Sequence, residues 1–221
     1  AYTFTMTSPA GPSNATGIFS GLTQGTYNFI VRDLNNCSDV VSVILTQPTA
    51  VTATAAVTSN YSGAQISCNG ASDGVITVTA SGGTGALTYV FDQFALSNIT
   101  GKNTGVFTGV PAGTGYTFTV KDAKNCPVGG FVTAPINVVQ PTAITASASI
   151  TSNYNGQHIS CPTIADGEIT VTASGGTGTL SYRLDQAPLN VTGAVSGIFT
   201  GVGAGIYTVT VRDLNSCFVV T

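Results

Sequence analysis

Apolar and polar residues alternate with a period of two along most of the chain. Ile76, Val78 and Ala80 fall on one side of an extended segment, with Thr77 and Thr79 on the other. Tyr89 and Phe91 repeat the pattern, as do Leu180, Tyr182 and Leu184, and near the start Tyr2, Phe4 and Met6. Tyr116, Phe118 and Val120 form a further inward row, whose alternates Thr117, Thr119 and Lys121 face water. A segment with one buried and one wet face is a strand of an antiparallel sheet packed on a second sheet, and turn residues recur about every ten positions. Thr, Ser, Asn and Gly dominate the polar positions while Glu, Lys and Arg are scarce, so almost no helix is expected.

The strands recur. Gln47-Pro48-Thr49-Ala50 returns as Gln140-Pro141-Thr142-Ala143, Thr58-Ser59-Asn60-Tyr61 as Thr151-Ser152-Asn153-Tyr154, and Ile66-Ser67-Cys68 as Ile159-Ser160-Cys161, all offset by 93. The offset slips by one at Gly105–Gly109 against Gly197–Gly201, and by one more at Cys126 against Cys217. An earlier partial copy supplies Gly17–Gly21 and "YNFIVRDLNNC", which matches "YTFTVKDAKNC" and "YTVTVRDLNSC". A period of about 93 residues suits a small sandwich rather than a solenoid coil. The expected architecture is all-β: tandem immunoglobulin-like, Greek-key β-sandwich repeats. Residues 1–50 form the C-terminal part of a first repeat, 51–143 a complete second one, and 144–221 a third that lacks its last strand. Tyr27, Tyr116 and Tyr207 each follow a Gly-containing turn and resemble the tyrosine corner of Greek-key sandwiches, in which the ring is buried and the hydroxyl bonds to nearby backbone.

"DGVITVTASGGTG" at 73–85 and "DGEITVTASGGTG" at 166–178 place glycines straight after a strand, as a phosphate-binding loop does. Such a loop needs a helix behind it whose first amides point at the anion. Here "ALTYVFD" and "TLSYRLD" follow, both strand-like, so the glycines of Ser81–Gly85 are read as a strand-to-strand turn that needs positive φ.

Composition narrows the chemistry further. Charged residues make up 7% of the 221, the net charge is −3 and there are six Lys or Arg, which excludes the basic footprint of a nucleic-acid binder. No apolar run approaches the roughly 18 residues of a membrane-spanning helix. The chain opens "AYTFTM" without a basic start or an apolar signal core, so any secretion signal was removed or lies upstream. His158, the one histidine, aligns with Gln65, and a Ser-His-Asp triad would need it, so no enzyme is expected and His158 is read as an exposed polar residue. Glu168 aligns with Val75 and Arg183 with Val90, which marks solvent-facing strand positions. Asp33, Asp122 and Asp213, Asp73 and Asp166, and Asp92 and Asp185 recur between copies and are read as turn residues whose carboxylates bond nearby amides. No cofactor is expected. A weak Ca²⁺ site between repeats is the minority reading, since no window clusters the carboxylates that calcium needs.

Cys-Asn-Gly-Ala-Ser-Asp-Gly from Cys68, followed by "VITVTASGGTG", a Tyr strand, "GVFTGVPAGTGYTFTVKDAKNC" and "QPTA", resembles the SprB repeats of giant Bacteroidetes surface adhesins. "CPTIADG" at 161–167 departs from it by lacking Asn-Gly after the Cys. The resemblance implies export through the type IX secretion system and display as a long filament on the bacterial cell surface. It also implies adhesion during gliding motility.

From these readings the expected function is a structural and adhesive segment of a repetitive extracellular filament. It would contact surfaces or polysaccharides through many weak contacts, and neighbouring repeats or laterally bundled filaments through its own surface. The alternative is a carbohydrate-binding module, which calls for exposed aromatics, whereas there is no Trp and most Tyr and Phe lie inward. An ice-binding face made of the Thr-x-Thr arrays is a third reading; outward Thr is common in strands for its β propensity alone. Asn14-Ala15-Thr16, Asn98-Ile99-Thr100 and Asn190-Val191-Thr192 are glycosylation sequons in form, read first as turn chemistry.

Five cysteines in an extracellular chain favour pairing. Within repeats, Cys68–Cys126 and Cys161–Cys217 would leave Cys37 unpaired; across junctions, Cys37–Cys68 and Cys126–Cys161 would leave Cys217. The first scheme is preferred because a domain with its own staple folds alone. It requires the segment around Cys68 to run beside the Cys126 turn, which a strict immunoglobulin order does not provide.

Overall fold

Alternation becomes strand geometry along the chain: Gly74–Ser81 buries Gly74, Ile76 and Val78 and exposes Thr79. The protein is described by a computed structural model covering residues 1–94, 100–127, 130–187 and 189–221. Its only helical element among the described residues is a short 3₁₀ turn at Asp92–Phe94. Two compact units are present, Ala1–Ala50 and Val51–Thr221.

The first unit is a single antiparallel sheet of β1 (Thr3–Ser8), β2 (Ser13–Asn14), β3 (Gly25–Arg32) and β4 (Ser38–Leu45), in the order β2-β1-β3-β4. With no second sheet within the unit, only Met6 and Tyr27 among its large apolar side chains are buried, and β4 is exposed along its whole length. Tyr2, expected to point inward, is 62% exposed, because it precedes β1 and no facing layer within this unit covers it.

The second unit contains two sandwiches in succession. The leading one has β5 (Thr52–Val57), β6 (Gly74–Ser81), β7 (Thr88–Phe91), β8 (Val106–Val110), β9 (Gly113–Tyr116), β10 (Phe118–Lys121), β11 (Phe131–Val132) and β12 (Ile136–Val138). Its sheets are β5-β6-β8 and β7-β10-β11, with β12 added to β9, and every pairing is antiparallel. β6 and β8 are neighbours although β7, between them in sequence, lies in the other sheet, which is a Greek-key crossing. The following sandwich repeats this with β13 (Thr145–Ile150), β14 (Gly167–Ser174), β15 (Ser181–Leu184), β16 (Ile198–Val202), β17 (Val209–Arg212) and β18 (Phe218–Val220), in sheets β13-β14-β16 and β15-β17-β18.

Each sandwich has its own core. In the leading one, Ile76, Val78, Phe107 and Val110 from one sheet meet Phe91, Phe118 and Val120 from the other, with Phe91 and Phe107 edge to face at 5.6 Å between ring centres. In the following one, Ile169, Val171 and Phe199 meet Leu184, Val209 and Val211. The two ends of a sandwich differ. Thr52 lies opposite Ser81, so the chain enters beside the glycine turn that follows β6. It leaves where Val138 lies against Gly74 and the Val139 amide donates to Gln65 Oε1 at 2.7 Å, beside the loop between β5 and β6.

Candidate functional site

At the entry end, Gly82, Gly83 and Gly85 have φ of 85°, 73° and 77°, as the turn reading requires. The turn does hold an anion, but one belonging to the chain. Thr84 N donates to Asp122 Oδ2 at 2.7 Å, and Thr177 N donates to Asp213 Oδ2 at 2.8 Å in the following sandwich. A Cβ on Gly83 would come within 2.7 Å of Asp122 Cβ, so the glycine is also needed for close approach. The other carboxylate oxygen of Asp122 accepts from the amides of Lys124 (2.9 Å) and Cys126 (2.7 Å). Asp213 treats Asn215 and Cys217 in the same way, and Asp33 treats Asn35 and Cys37. These amides, Cys126 N above all, hold the Asp122 carboxyl below the usual range although burial opposes them. One aspartate thus fixes the turn that presents each second cysteine.

The exit end presents the first cysteine. Ser67 N donates to Asp73 Oδ1 at 3.1 Å, Ser59 Oγ to Gln65 O at 2.7 Å, and Tyr61 Oη to Asp73 O at 2.9 Å. Ser160 N to Asp166 Oδ1, Ser152 Oγ to His158 O and Tyr154 Oη to Asp166 O reproduce the loop around Cys161. Hydrogen bonds from the Ser160 side chain and amide keep the Asp166 carboxyl below its usual value.

Between the two sandwiches, exit end meets entry end, and there Cys68 is bonded to Cys217 with Cα atoms 5.6 Å apart. The expected pairs Cys68–Cys126 and Cys161–Cys217 are not formed; Cys126, Cys161 and Cys37 carry exposed thiols. The reason is distance within one sandwich. Cys68 lies before the start of β6 and the Cys126 turn packs on the loop after its end, and an eight-residue strand spans over 20 Å at about 3.3 Å per residue. A disulfide tolerates no more than about 7 Å between Cα atoms. The alternative scheme fails too, because the partner of Cys68 comes from the sandwich that follows it.

Around the staple, Asn215 Nδ2 donates to Tyr61 O at 3.0 Å and Ser67 O at 3.3 Å, Asn69 Nδ2 donates to Pro141 O at 3.0 Å, and Gly70 N donates to Gln140 Oε1 at 2.7 Å. A shallow cavity of about 400 Å³ beside it is lined by Asn69, Ile144, Asp213 and Phe218 among others. Asn69 and Gln140 stood out in the sequence only as repeat residues, and no contact across the junction was expected of them or of Asn215. The available signal was the shared Asn of "DLNNC" and "DLNSC", replaced by Lys124 in the middle copy.

The remaining candidate residues are structural. Tyr27 Oη donates to Thr23 O (2.7 Å), Tyr116 Oη to Pro111 O (3.3 Å) and Tyr207 Oη to Gly203 O (3.2 Å). Burial pushes the Tyr116 hydroxyl pKa up. Asp92 and Asp185, expected to bond turn amides, instead bond the threonines of the neighbouring strand: Thr117 and Thr119 each reach Asp92 at 2.7 Å, and Thr208 and Thr210 reach Asp185. Thr117 and Thr119 are consequently half-buried rather than water-facing, as is Lys121, whose side chain lies beside Gly130. Arg183 forks onto Asp185 at 2.8 Å and Glu168 accepts from Thr151. Asn14 and Asn190 accept from the amide and hydroxyl two residues on, while Asn98 lies outside the described residues. His158 is exposed at a groove of about 280 Å³ with Ile159, Glu168 and Tyr207. In the leading sandwich β12 occupies the corresponding place against β9 and Gly74.

Among the described residues, no three His, Cys, Asp or Glu side chains gather into a group, and no helix is long and apolar enough to cross a membrane. The arrangement is suited to holding successive sandwiches end to end. Residues 60–93 and 157–188 match the family model of the SprB repeat, and each match runs from the exit-end cysteine loop through the glycine turn into the next strand. No curated protein matches the chain.

Proposed function

We propose that this chain, carrying two SprB repeats, is a structural and adhesive segment of a long repetitive filament on a bacterial cell surface, of the kind that serves gliding motility. The SprB repeat is a repeat of structural surface proteins, not an enzyme family. The observation that carries the filament reading is the junction, where the exit end of one sandwich is joined covalently to the entry end of the next. Length then grows by adding sandwiches.

Adhesion would come from the outer face of the β5-β6 and β13-β14 pairs, which carries mostly hydroxyls, with Glu168 the one charged residue in these four strands. Thr52 bonds Ser81, Thr58 bonds Thr77, Thr145 bonds Ser174, Ser147 bonds Thr172 and Thr151 bonds Thr170, all exposed. Such a face offers weak, uncharged hydrogen bonds, which become useful when many copies act together. The test compares binding of the single chain and of particles densely coated with it to polysaccharide films, from low salt to roughly 1 M, where the screening length is about 3 Å. Adhesion of the coated particles alone, nearly unchanged by salt, supports the reading. Tight binding of one glycan by the single chain would replace it with a lectin.

A further inference from the structure

The chain has cysteines of two kinds, and the fold puts them at opposite ends of a sandwich. Cys68 and Cys161 lie in the exit-end loop, before β6 and β14; Cys37, Cys126 and Cys217 lie in the Asp-anchored turn that, in the second unit, stands at the entry end. Wherever exit end meets entry end, a first cysteine therefore meets the second cysteine of the next repeat. We propose that this is a rule of the repeat: each first cysteine bonds to the second cysteine of the repeat that follows. Tandem repeats would then be held by a running ladder of disulfides, and the exposed loop around Cys161 is the socket for the Asp-anchored turn of one further repeat.

The pattern of bonded and free thiols is the one the rule gives. Cys68 is the one first cysteine of this sequence with a second cysteine, Cys217, in the repeat that follows it, and these two are the bonded pair. Cys37 and Cys126 are second cysteines that call for a first cysteine in a preceding repeat; Cys161 is a first cysteine that calls for a second one in a following repeat. All three are exposed.

Both halves of the joint are built before they meet. The Asp33 and Asp122 turns have the same amide bonds as the Asp213 turn, and Asn36, Asn125 and Ser216 share a φ of 64°, 58° and 67° ahead of the cysteine. The Cys161 loop keeps the bonds of the Cys68 loop, including the closing Ile164 N to Cys161 O (3.1 Å) that matches Ala71 N to Cys68 O (3.0 Å). Tyr154 and Ser160 place carbonyls where Tyr61 and Ser67 accept from Asn215. One contact cannot recur: Pro162 stands at the position of Asn69 and has no side-chain donor, so the socket around Cys161 depends more on the disulfide itself. In forming each rung, two thiols give up two protons and two electrons to a disulfide oxidant, which leaves as two thiols.

The inference rests on the repeat reading but not on adhesion, and its test contains no adhesion readout. In the 221-residue chain folded with oxidised glutathione, peptide mapping should find Cys68 joined to Cys217 and Cys37, Cys126 and Cys161 open to alkylation. A second chain in which residues 134–221 are appended after Thr221, the counterpart of Thr133, with Val220→Ile in the appended copy as a mass tag, should lose Cys161 from the alkylated set. Cys161 should appear joined to the tagged peptide, leaving the appended Cys161 free. A folded extended chain in which Cys161 stays open, or pairs with the untagged Cys217, overturns the ladder. Should the longer chain not fold, Cys68→Ser in the 221-residue chain decides. Cys217 left open to alkylation supports the rule, and Cys217 re-pairing with Cys161 refutes it, because the two ends of one sandwich would then be within reach.

Discussion

The loops at 58–73 and 151–166 share nine of sixteen residues and the same internal hydrogen bonds, yet one is covered and the other is open. Ile66 is 0% exposed and Cys68 is bonded, whereas the counterpart Ile159 is only half-buried, Tyr154 is 40% exposed and Cys161 is free. The difference comes from outside the loops. Around Ile66, Val139 N bonds Gln65 and Gln140 bonds Gly70, while from the following sandwich Asn215 and Cys217 close over Tyr61 and Ser67. Residues 151–166 have no counterpart of β12 or of a next turn among the 221 residues. Local sequence therefore sets the shape of this loop, and its neighbours set its burial and much of what removing a side chain from it will cost.

The strongest way to erase the contrast is to open the staple. Loop-closure entropy for ends 149 residues apart corresponds to about 5 kcal/mol. Reduction should lower the stability of the second unit by up to that amount, in denaturant melts with and without reductant. It should also speed the exchange of the amides of 60–70 towards that of 153–163, while β12 and Gln140 of the same sandwich keep part of the cover. If reduction leaves the exchange of 60–70 unchanged, the hydrogen bonds of Asn215 hold the joint without the disulfide.

Next in size is the tyrosine two residues before each β10-type strand. Tyr116 is 6% exposed, packs edge to face on Phe91 at 5.1 Å and lies opposite Ile136 of β12, while Tyr207 borders the open groove. Tyr116→Ala should cost about 3–5 kcal/mol as a large core truncation, and Tyr207→Ala clearly less. Equal losses in denaturant melts would mean that the uncovered sandwich is packed as firmly as the covered one. Tyr116→Phe removes only the bond to Pro111 O and should cost about 1 kcal/mol.

What was legible in the sequence was whatever one repeat decides alone. Period-two alternation located β6, β7, β10 and β14 and their inward rows, and the glycines of Ser81–Gly85 and the Asp-anchored turns followed from φ and from carboxylate–amide chemistry. Tyr2 failed because alternation shows which face is apolar, not whether a layer covers it. Asp92 and Asp185 failed because their partners, Thr117, Thr119, Thr208 and Thr210, lie more than twenty residues away on another strand. The disulfide failed for a similar reason. Its partners belong to different repeats, and a scheme that treated each repeat as complete could not supply the approach of one sandwich's end to the next.

The smallest effect separates the two anchoring carboxylates by pH. The amides of Cys126, Thr84 and Lys124 stabilise the charged form of Asp122, and Ser160 does so for Asp166, so both folded-state values lie below the unfolded value of about 3.9. A depressed carboxyl contributes stability that is fully present above the unfolded value and is lost as pH falls through the folded one. Asp122→Asn and Asp166→Asn should each destabilise at pH 7 and converge on the parent chain in strong acid, where the parent has lost the same contribution. Asp122 is 4% exposed and ties the glycine turn to the cysteine turn, whereas Asp166 sits in the uncovered loop, where water competes for the same bonds. The loss at pH 7 should therefore be larger for Asp122→Asn, in melts at pH 7 and about pH 3. If the Asp166 variant loses more, the open loop depends on its carboxylate as much as the covered one depends on its neighbours.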